Sequence, residues 1–555
     1  MIIKSELPEL DIPKVDILTY LFPEGQPVSD EPVWHDAANA QHHLSPRRLL
    51  QWVKRLGLGL DRLGIRHGEI VMIYTPNHIF VPAAYLGIVG SCRAFSAVNP
   101  IYTVPEVTHQ LKNTEAVCIL AHPSMVRNAL AAAKAAGLPK ERIFQFDDQP
   151  CPTLEGVTDW REMLASSEEA ESYQWKKLRG EEAVKTVATI NYSSGTTGLP
   201  KGVCVSHHNL IANVMQTIAV RWPKHALGEK VTEKWVGFLP LYHAYGQLYA
   251  NLIATKLDIP IYIMKQFVYT DFLQCIQQYA ITHLQVAPPI MIMLTKRPET
   301  ANYDLSSLKG ILCGAAPMSK ELQNAVSRRF NVEVKQGWGM TEVTCGSILQ
   351  LEPADTGTVG KLIPNHECKL LDDDGKEVGY DTPGEMCIRA PNVCLGYFEN
   401  DAATAESLSS DGWLKTGDVA IVNKEGLFWI VDRKKELIKV NALQVAPAEL
   451  EAVLLEHDDI ADAAVVGITL HGEEWPRAYV SLADHAKGTL TAKDIHTYMK
   501  QKVAKHKQLV GGIAFVDEVP KLASGKIQRK IMREWAKRDA PGLEKEMVGG
   551  VRARL

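Results

Sequence analysis

From Tyr192 to Gly202 the chain reads Tyr-Ser-Ser-Gly-Thr-Thr-Gly-Leu-Pro-Lys-Gly, with three glycines, four aliphatic hydroxyls and one lysine in eleven residues. That composition suits a phosphate-holding loop, because glycine lets backbone N–H groups approach an anion closely and the side chains add further donors. The P-loop frame does not fit: Pro200 stands five residues after Gly195, and Val203 five after Gly198. The setting differs as well, since a P-loop joins a strand to a helix, whereas this loop lies between strand-like runs at 186–192 and 202–205. A helix is expected only from Ser206, a suitable N-cap.

Further along stand Gly314-Ala-Ala-Pro317, Gln336-Gly-Trp-Gly-Met-Thr-Glu342, Asp411-Gly-Trp-Leu-Lys-Thr-Gly-Asp418, Asp432-Arg-Lys-Lys-Glu-Leu-Ile-Lys439 and Pro520-Lys-Leu-Ala-Ser-Gly-Lys526. Each is weak evidence alone. Together and in this order they resemble the adenylate-forming superfamily of acyl-CoA synthetases, adenylation domains and beetle luciferases, over roughly residues 40–535. Leu239-Pro-Leu-Tyr-His243 and Val445-Ala-Pro-Ala-Glu-Leu-Glu451 read most like the 4-coumarate-CoA ligase branch.

The resemblance implies ATP, Mg2+ and coenzyme A as cofactors and an acyl-AMP intermediate. A carboxylate must then attack the α-phosphorus of ATP, so two anions are forced together and positive charge and aligned donors are needed. By resemblance, Ser193, Ser194, Gly195, Thr196, Thr197, Gly198 and Lys201 surround the phosphates, with Thr196 and Thr197 on the β- and γ-phosphates. Thr341 lies by the α-phosphate, and Glu342 with Thr197 holds the hard cation that triphosphate chemistry uses. Trp338 stands where an aromatic faces adenine, flanked by Gln336, Gly337, Gly339 and Met340, with Ala315 and Ala316 on the other side. Asp418 takes the ribose hydroxyls, with Arg433 as its companion.

Lys526 is the lysine that the family brings into the active site for adenylation, from a turn far in sequence from the phosphate loop. The small domain that carries it is therefore expected to rotate about a hinge at Arg433 to Lys435, bringing a second face forward for thioester formation. Lys435, Lys439 and Gln444 lie on that segment, where the ligase branch contacts the adenylate or assists the second step. One departure stands out: Ala442 replaces a glycine that leaves room for the CoA thiol arm, and Asn441 replaces a frequent lysine.

The acyl pocket is expected near His243, Tyr245, Tyr249, Gly314, Gly339 and Cys345 to Ser347. His243 matches the family's gate residue, Tyr245 offers a hydroxyl to a polar acyl group, and Gly346 and Ser347 replace bulkier aliphatics, which enlarges the pocket. An aromatic or medium-chain acid is expected. Alternatives to a CoA ligase are an adenylating enzyme with another acceptor, such as a carrier-protein thiol or oxygen, and a nucleotide-binding regulator without turnover.

These groups need a scaffold. With 555 residues the chain exceeds a single core, so two or more domains are expected. From about Leu49 to Ile430, β-branched runs alternate with helical patterns, for example helix 271–280, strand 283–287 and helix to 296, which indicates α/β layers over largely parallel sheets. After Arg433 a smaller alternation predicts helix 448–456, strands 463–467 and 478–482, helix 492–505 and strand 513–516. The predicted fold class is thus α/β, with a large N-terminal domain (1–432) of layered sheets and helices and a small mobile α+β C-terminal domain (433–555). The run Gly426 to Ile430 reads as a buried strand.

A net charge of −5 and 46% hydrophobic residues give no global reason to invoke nucleic acid or membrane as a partner. The longest apolar stretch, Ile79 to Gly90, is too short to span a bilayer, and the first residues lack a leader's apolar core. Ten cysteines without CxxC spacing read as reduced intracellular thiols, Cys313 and Cys345 as pocket-lining hydrophobes. The terminal Ala553-Arg554-Leu555 has the small-basic-leucine form of a peroxisomal address, so an import receptor is an expected partner and the peroxisome the expected location, the cytoplasm being the alternative.

Overall fold

The computed structural model describes residues 1–193, 200–352, 356–440, 443–522 and 525–550. Two large sheets carry most of the N-terminal portion. In the first, the parallel strands Ala94–Val98, Ile70–Tyr74, Cys118–Ala121 and Ile143–Gln145 are extended by Val187–Ser193 beside Ala94–Val98, then by Lys201–Ser206 and Gly396–Tyr397. Its strands read as near-continuous apolar runs because helices cover both faces; Val81–Gly90, apolar all round, is wholly buried among them.

The second sheet has nine strands, whose centre is the parallel series Trp235–Gly237, His283–Val286, Gly310–Cys313 and Glu333–Trp338. Helices Tyr269–Tyr279 and Pro288–Lys296 flank His283–Val286, as the sequence predicted. Helix Pro288–Lys296 starts with two prolines at the positions where a missing N–H costs no hydrogen bond.

The expectation of largely parallel sheets fails for residues 367–433. There Glu367–Leu371, Gly384–Arg389, Leu414–Val422 and Phe428–Arg433 form an antiparallel sheet, joined at its edge by Ile3–Lys4. The five-residue link between Leu414–Val422 and Phe428–Arg433 is too short for a crossover helix and forces reversal there, whereas the link after Gly384–Arg389 is long and carries helix Asp401–Ser407. The run from Gly426 is also corrected: its glycine is a left-handed turn residue, and of Phe428, Trp429 and Ile430 only Phe428 is buried.

Beyond Arg433 a hairpin, Ile438–Val440 with Leu443–Val445, precedes helix Pro447–Leu455 and a three-stranded sheet of Ile460–Leu470, Glu473–Leu482 and Ile513–Phe515. The predicted elements are present, but the first two strands are longer and form one hairpin. Helix Arg529–Gly550, which no sequence pattern had marked, covers this sheet through Met532 and Ala536. Among the described residues no helix is long and apolar enough to cross a membrane.

Candidate active site

The strands on either side of the glycine-rich loop pair antiparallel. Ser193 pairs with Lys201 and Tyr192 with Gly202, so the chain runs out along one strand and back along the other. Residues 194–199 lie outside the described residues, and with them the calls on Ser194, Gly195, Thr196, Thr197 and Gly198; of Ser193 only the backbone is described. Lys201 sits with its ammonium 4.8 Å from the centre of the Tyr397 ring, a cation–π contact that holds it at the start of the second strand.

The parallel strands Gly310–Cys313 and Glu333–Trp338 end side by side, Cys313 opposite Gln336, and the crevice beyond such strand ends is where α/β sheets bind ligands. The turn after the first contains Ala315 at φ +70°, a left-handed conformation unusual for a residue with a side chain. Gln336 is buried, its side chain donating to Gln323 Oε1 at 2.7 Å, and therefore serves the backbone's shape. Gly337 pairs with Leu349, and Met340 packs with Trp338 into the core beneath the antiparallel sheet.

Trp338 does two things at once. Its ring borders the crevice, and its indole N–H donates to Asp418 Oδ2 at 2.8 Å. Arg433 Nε lies 2.8 Å from the other oxygen, Oδ1, and the two residues are cross-strand partners. Asp418 is thus buried, ionically paired and aimed, which leaves its remaining lone pairs for a diol.

Glu342 follows in a single 3-10 turn with Thr341 and is buried too. Tyr397 donates to its Oε1 at 2.9 Å, and burial together with the glutamate's charge keeps that phenol protonated as the donor. Among the described residues nothing donates to the second carboxylate oxygen, so a hard cation would find an oxygen ligand there.

Lys526 completes the group: it lines the same cavity as Trp338, Asp418, Arg433 and Glu436. Burial, and then the Arg433 guanidinium, lower its pKa below the ordinary lysine value, while the carboxylates of Glu342, Asp418 and Glu436 oppose them. His243 faces the same ammonium; burial first and that charge second lower it to about 4, so the imidazole is neutral at physiological pH. Its Nδ1 accepts from the Tyr245 backbone N–H at 3.4 Å and so caps the short helix Ala244–Gly246. A cavity of about 1100 Å³ runs from Trp338, Asp418 and Lys526 past Pro289 and Ala446 toward Glu456.

On the acyl side Tyr245 and Tyr249 meet edge to face at 5.3 Å, Tyr249 on the π-helix Gln247–Ile253, a rare wide turn that functional sites often use. The Tyr245 hydroxyl donates to the Leu312 carbonyl at 3.1 Å, so it can offer an acyl group only its lone pairs. Gly314 lies against Tyr245, and Gly339 against the Cys345 carbonyl, where an added Cβ would fall 1.7 Å away. Around Gly346 the same test finds open space, while Asn213 grips its backbone N–H and carbonyl at 3.1 and 2.7 Å.

Ser347 corrects the sequence reading. Its hydroxyl is fully buried and donates to His366 Nε2 at 3.0 Å, so it faces the core and enlarges no pocket. Burial pushes the Cys345 thiol up to about 12 and raises Cys313 as well, so both are neutral.

Three predicted residues stand apart. Lys435, Lys439 and Gln444 are exposed, the last two opposite each other on the hairpin after Ile438, and none borders the cavity. Asn441 and Ala442 lie outside the described residues, as do Ala553, Arg554 and Leu555.

Sequence reasoning missed Arg221 and Glu233. Arg221 lies 5.4 Å from the Tyr249 ring and 3.6 Å from Glu233, whose carboxylate takes the indole N–H groups of Trp222 and Trp235 at 2.7 Å each. No local motif marks this cluster because its members meet only through the fold. Elsewhere Asp36, His42 and Asp148 converge, with the Lys265 ammonium 2.8 Å from Asp148 supplying the opposing charge.

Residues 24–398 match the AMP-binding enzyme family, and residues 449–526 its C-terminal domain. A phenylacetyl-CoA ligase of Aspergillus niger is 34% identical over 543 residues, covering 96% of this chain and 98% of the relative. A probable 4-coumarate–CoA ligase of Dictyostelium discoideum is 34% identical over 501 residues, covering 87% and 88%. The crystal structure of an anthranilate CoA ligase in complex with anthranoyl-AMP superimposes with a TM-score of 0.81 at 23% identity, covering 97% of this chain and 99% of that one, a likeness of fold.

Proposed function

Because the chain belongs to the AMP-binding enzyme family in both its parts, we infer that it is an ATP-dependent acyl-CoA ligase that forms an acyl-adenylate and passes the acyl group to CoA. The observation that carries the residue-level reading is the convergence of Lys526, Glu342 and the Trp338–Asp418–Arg433 set at one end of the crevice. Asp418, fixed by two donors, receives the ribose diol. Trp338 and the Ala315–Ala316 turn border the base. Residues 194–199, with Lys201, cradle the phosphates. Lys526 stabilises the charge that develops as the carboxylate oxygen bonds to the α-phosphorus and pyrophosphate leaves. His243, neutral, lies between that ammonium and the acyl side and is the gate.

Mg2+ would be held by Glu342 through its free oxygen, together with Thr197, and when bound it neutralises triphosphate charge. For the second step we assign Lys439 and Gln444 to the face that turns inward after the domain beyond Arg433 rotates, which accords with their exposure here. The acid we propose is aromatic or of medium chain length, supported by the tyrosine-lined side and the open space at Gly346.

The test incubates the protein with ATP, Mg2+ and a panel of phenylacetate, 4-coumarate and octanoate, measuring pyrophosphate, and thioester with and without CoA. Pyrophosphate and CoA thioester are expected with at least one acid, and chelation is expected to stop both. ATP binding without either product would overturn the reading. For location we propose the peroxisome, through Ala553 to Leu555. A fluorescent reporter carrying the last residues is expected to enter peroxisomes, and a cytosolic reporter would refute the address.

A further inference from the structure

Helix Pro288–Lys296 is gripped at both ends by the part of the chain beyond Arg433. At its first turn the Gly525 backbone lies flush on it: a Cβ built there would stand 3.0 Å from Ala287 and 3.1 Å from Pro289. At its last turn Lys296 reaches across, and its ammonium donates to the carbonyls of Leu455, His457 and Ile460 at 2.8, 3.1 and 2.6 Å. An ammonium has three donors, so the side chain is saturated by backbone carbonyls. The Leu455 carbonyl closes helix Pro447–Leu455, at the end that carries free acceptors and a partial negative charge, and the His457 carbonyl, which also accepts the Ile460 N–H, lies just beyond it. Burial lowers the Lys296 pKa, and Asp458 and Asp462 counter that by favouring the charged form.

From these carbonyls a short path leads to the site. Two residues after Ile460, Asp462 pairs with the Lys521 ammonium at 2.7 Å. Lys521 opens the turn that ends at Lys526: it bridges to Ile527, and the Leu522 N–H donates to the Lys526 carbonyl at 2.8 Å. The contact is therefore specific to one placement of the C-terminal portion, the one in which Lys526 lines the crevice beside Asp418 and Trp338. Any rotation about the segment after Arg433 must break all three bonds together.

We propose that Lys296 is a positioning residue for Lys526: by capping the carbonyls around 455–460 it holds the orientation that forms the acyl-adenylate, and it has no part in thioester formation. This rests on the acyl-CoA ligase reading and on rotation between the two steps. The ammonium moves no proton in the reaction; it shifts the population of one arrangement, and losing charge-assisted bonds of this kind shifts such a balance by about tenfold or more.

The experiment uses the full chain and whichever acid of the panel the parent accepts, with its synthetic adenylate. Lys296→Met is expected to lower the rate of acyl-AMP formation at saturating ATP by about tenfold or more, leaving the KM for ATP within about twofold. Thioester formation from the supplied adenylate and CoA is expected to be unchanged or faster. Lys296→Arg, which keeps the donors, is expected to recover most of the first step. Equal losses in both half-reactions, or full adenylation by a folded Lys296→Met, overturn the proposal. Lys521→Met cuts the path at Asp462 with Lys296 intact and is expected to show the same split, so the proposal stays testable if the first variant does not fold. A parent that releases no pyrophosphate with any acid refutes the ligase reading instead, a result distinct from a parent that works and a variant without the split.

Discussion

At Lys526 burial and a neighbouring arginine lower the pKa, with three carboxylates on the other side of the balance. Removing such a charge from the developing transition state costs about 10²-fold or more, so Lys526→Ala is expected to slow acyl-AMP formation by that factor. Thioester formation from supplied adenylate is expected to stay near the parent rate, which stopped-flow measurement of each half-reaction checks. Three glycines behave differently under one added methyl group. At Gly339 the new carbon would lie 1.7 Å from a backbone carbonyl that has no room to yield, so Gly339→Ala is expected to unfold the turn and abolish nucleotide binding. At Gly314 the nearest atoms are 3.7 Å away, so Gly314→Ala is expected to fold normally and only trim the acyl side. Gly346→Val fills open space, and a shift toward smaller acids in the panel is the expected readout. The types of these residues were legible in the sequence, because glycines, an aspartate and a lysine in fixed strings carry their chemistry locally. Orientation was not: Ser347 belongs to His366 rather than to the pocket, and the Tyr245 proton to Leu312, since rotamers depend on neighbours distant in sequence.

The elements were read best where a local signal fixes them. Strands were expected on both sides of residues 194–199, and Val187–Ser193 and Lys201–Ser206 are there, paired antiparallel, with helix His207–Arg221 starting after Ser206 as its chemistry required. That helix has a full capping box, Ser206 Oγ accepting from the Asn209 N–H at 3.1 Å while Asn209 Oδ1 accepts from the Ser206 N–H at 2.8 Å. The same helix brings Asn213 to Gly346 and Arg221 to Tyr249. Ser206→Ala is therefore expected to cost about 1–2 kcal/mol in denaturant unfolding and to raise the KM for the acid, because the acyl wall hangs on this helix. The antiparallel sheet at 367–433 was missed because alternation of short strands says little about direction; only the tight link from Val422 to Phe428 imposes reversal, and the helix in the longer link after Arg389 reads from sequence like a crossover. The long hairpin Ile460–Leu470 with Glu473–Leu482 was read as two shorter strands, since only the fully buried middle of each shows a clear apolar run.

At the scale of the whole molecule, three buried histidines and the half-buried His243 are neutral in the folded state: desolvation lowers His207, His243 and His366 to about 4 and His78 to about 3. The unfolded chain protonates them near the ordinary value, so between about pH 6.5 and 4 it binds more protons than the folded one. The stability this provides is complete above pH 6.5 and is lost as the pH falls. The unfolding midpoint is expected to drop already between pH 6.5 and 5, before most carboxylates titrate, and a flat profile there would contradict the burial of these rings. The elements beyond Arg433 were legible as a smaller alternation, whereas their contacts with the earlier chain, Lys296 with the 455–460 carbonyls above all, involve residues too far apart in sequence for any pattern to join. The bond from the Trp338 indole to Asp418 has an optical consequence. An indole bonded to a carboxylate emits differently from one whose acceptor has been claimed by a sugar hydroxyl, so nucleotide binding is expected to change the protein's own fluorescence. The signal comes from one of eleven tryptophans, and Trp338→Phe is expected to silence it, which makes occupancy of the crevice readable by light in the absence of any turnover.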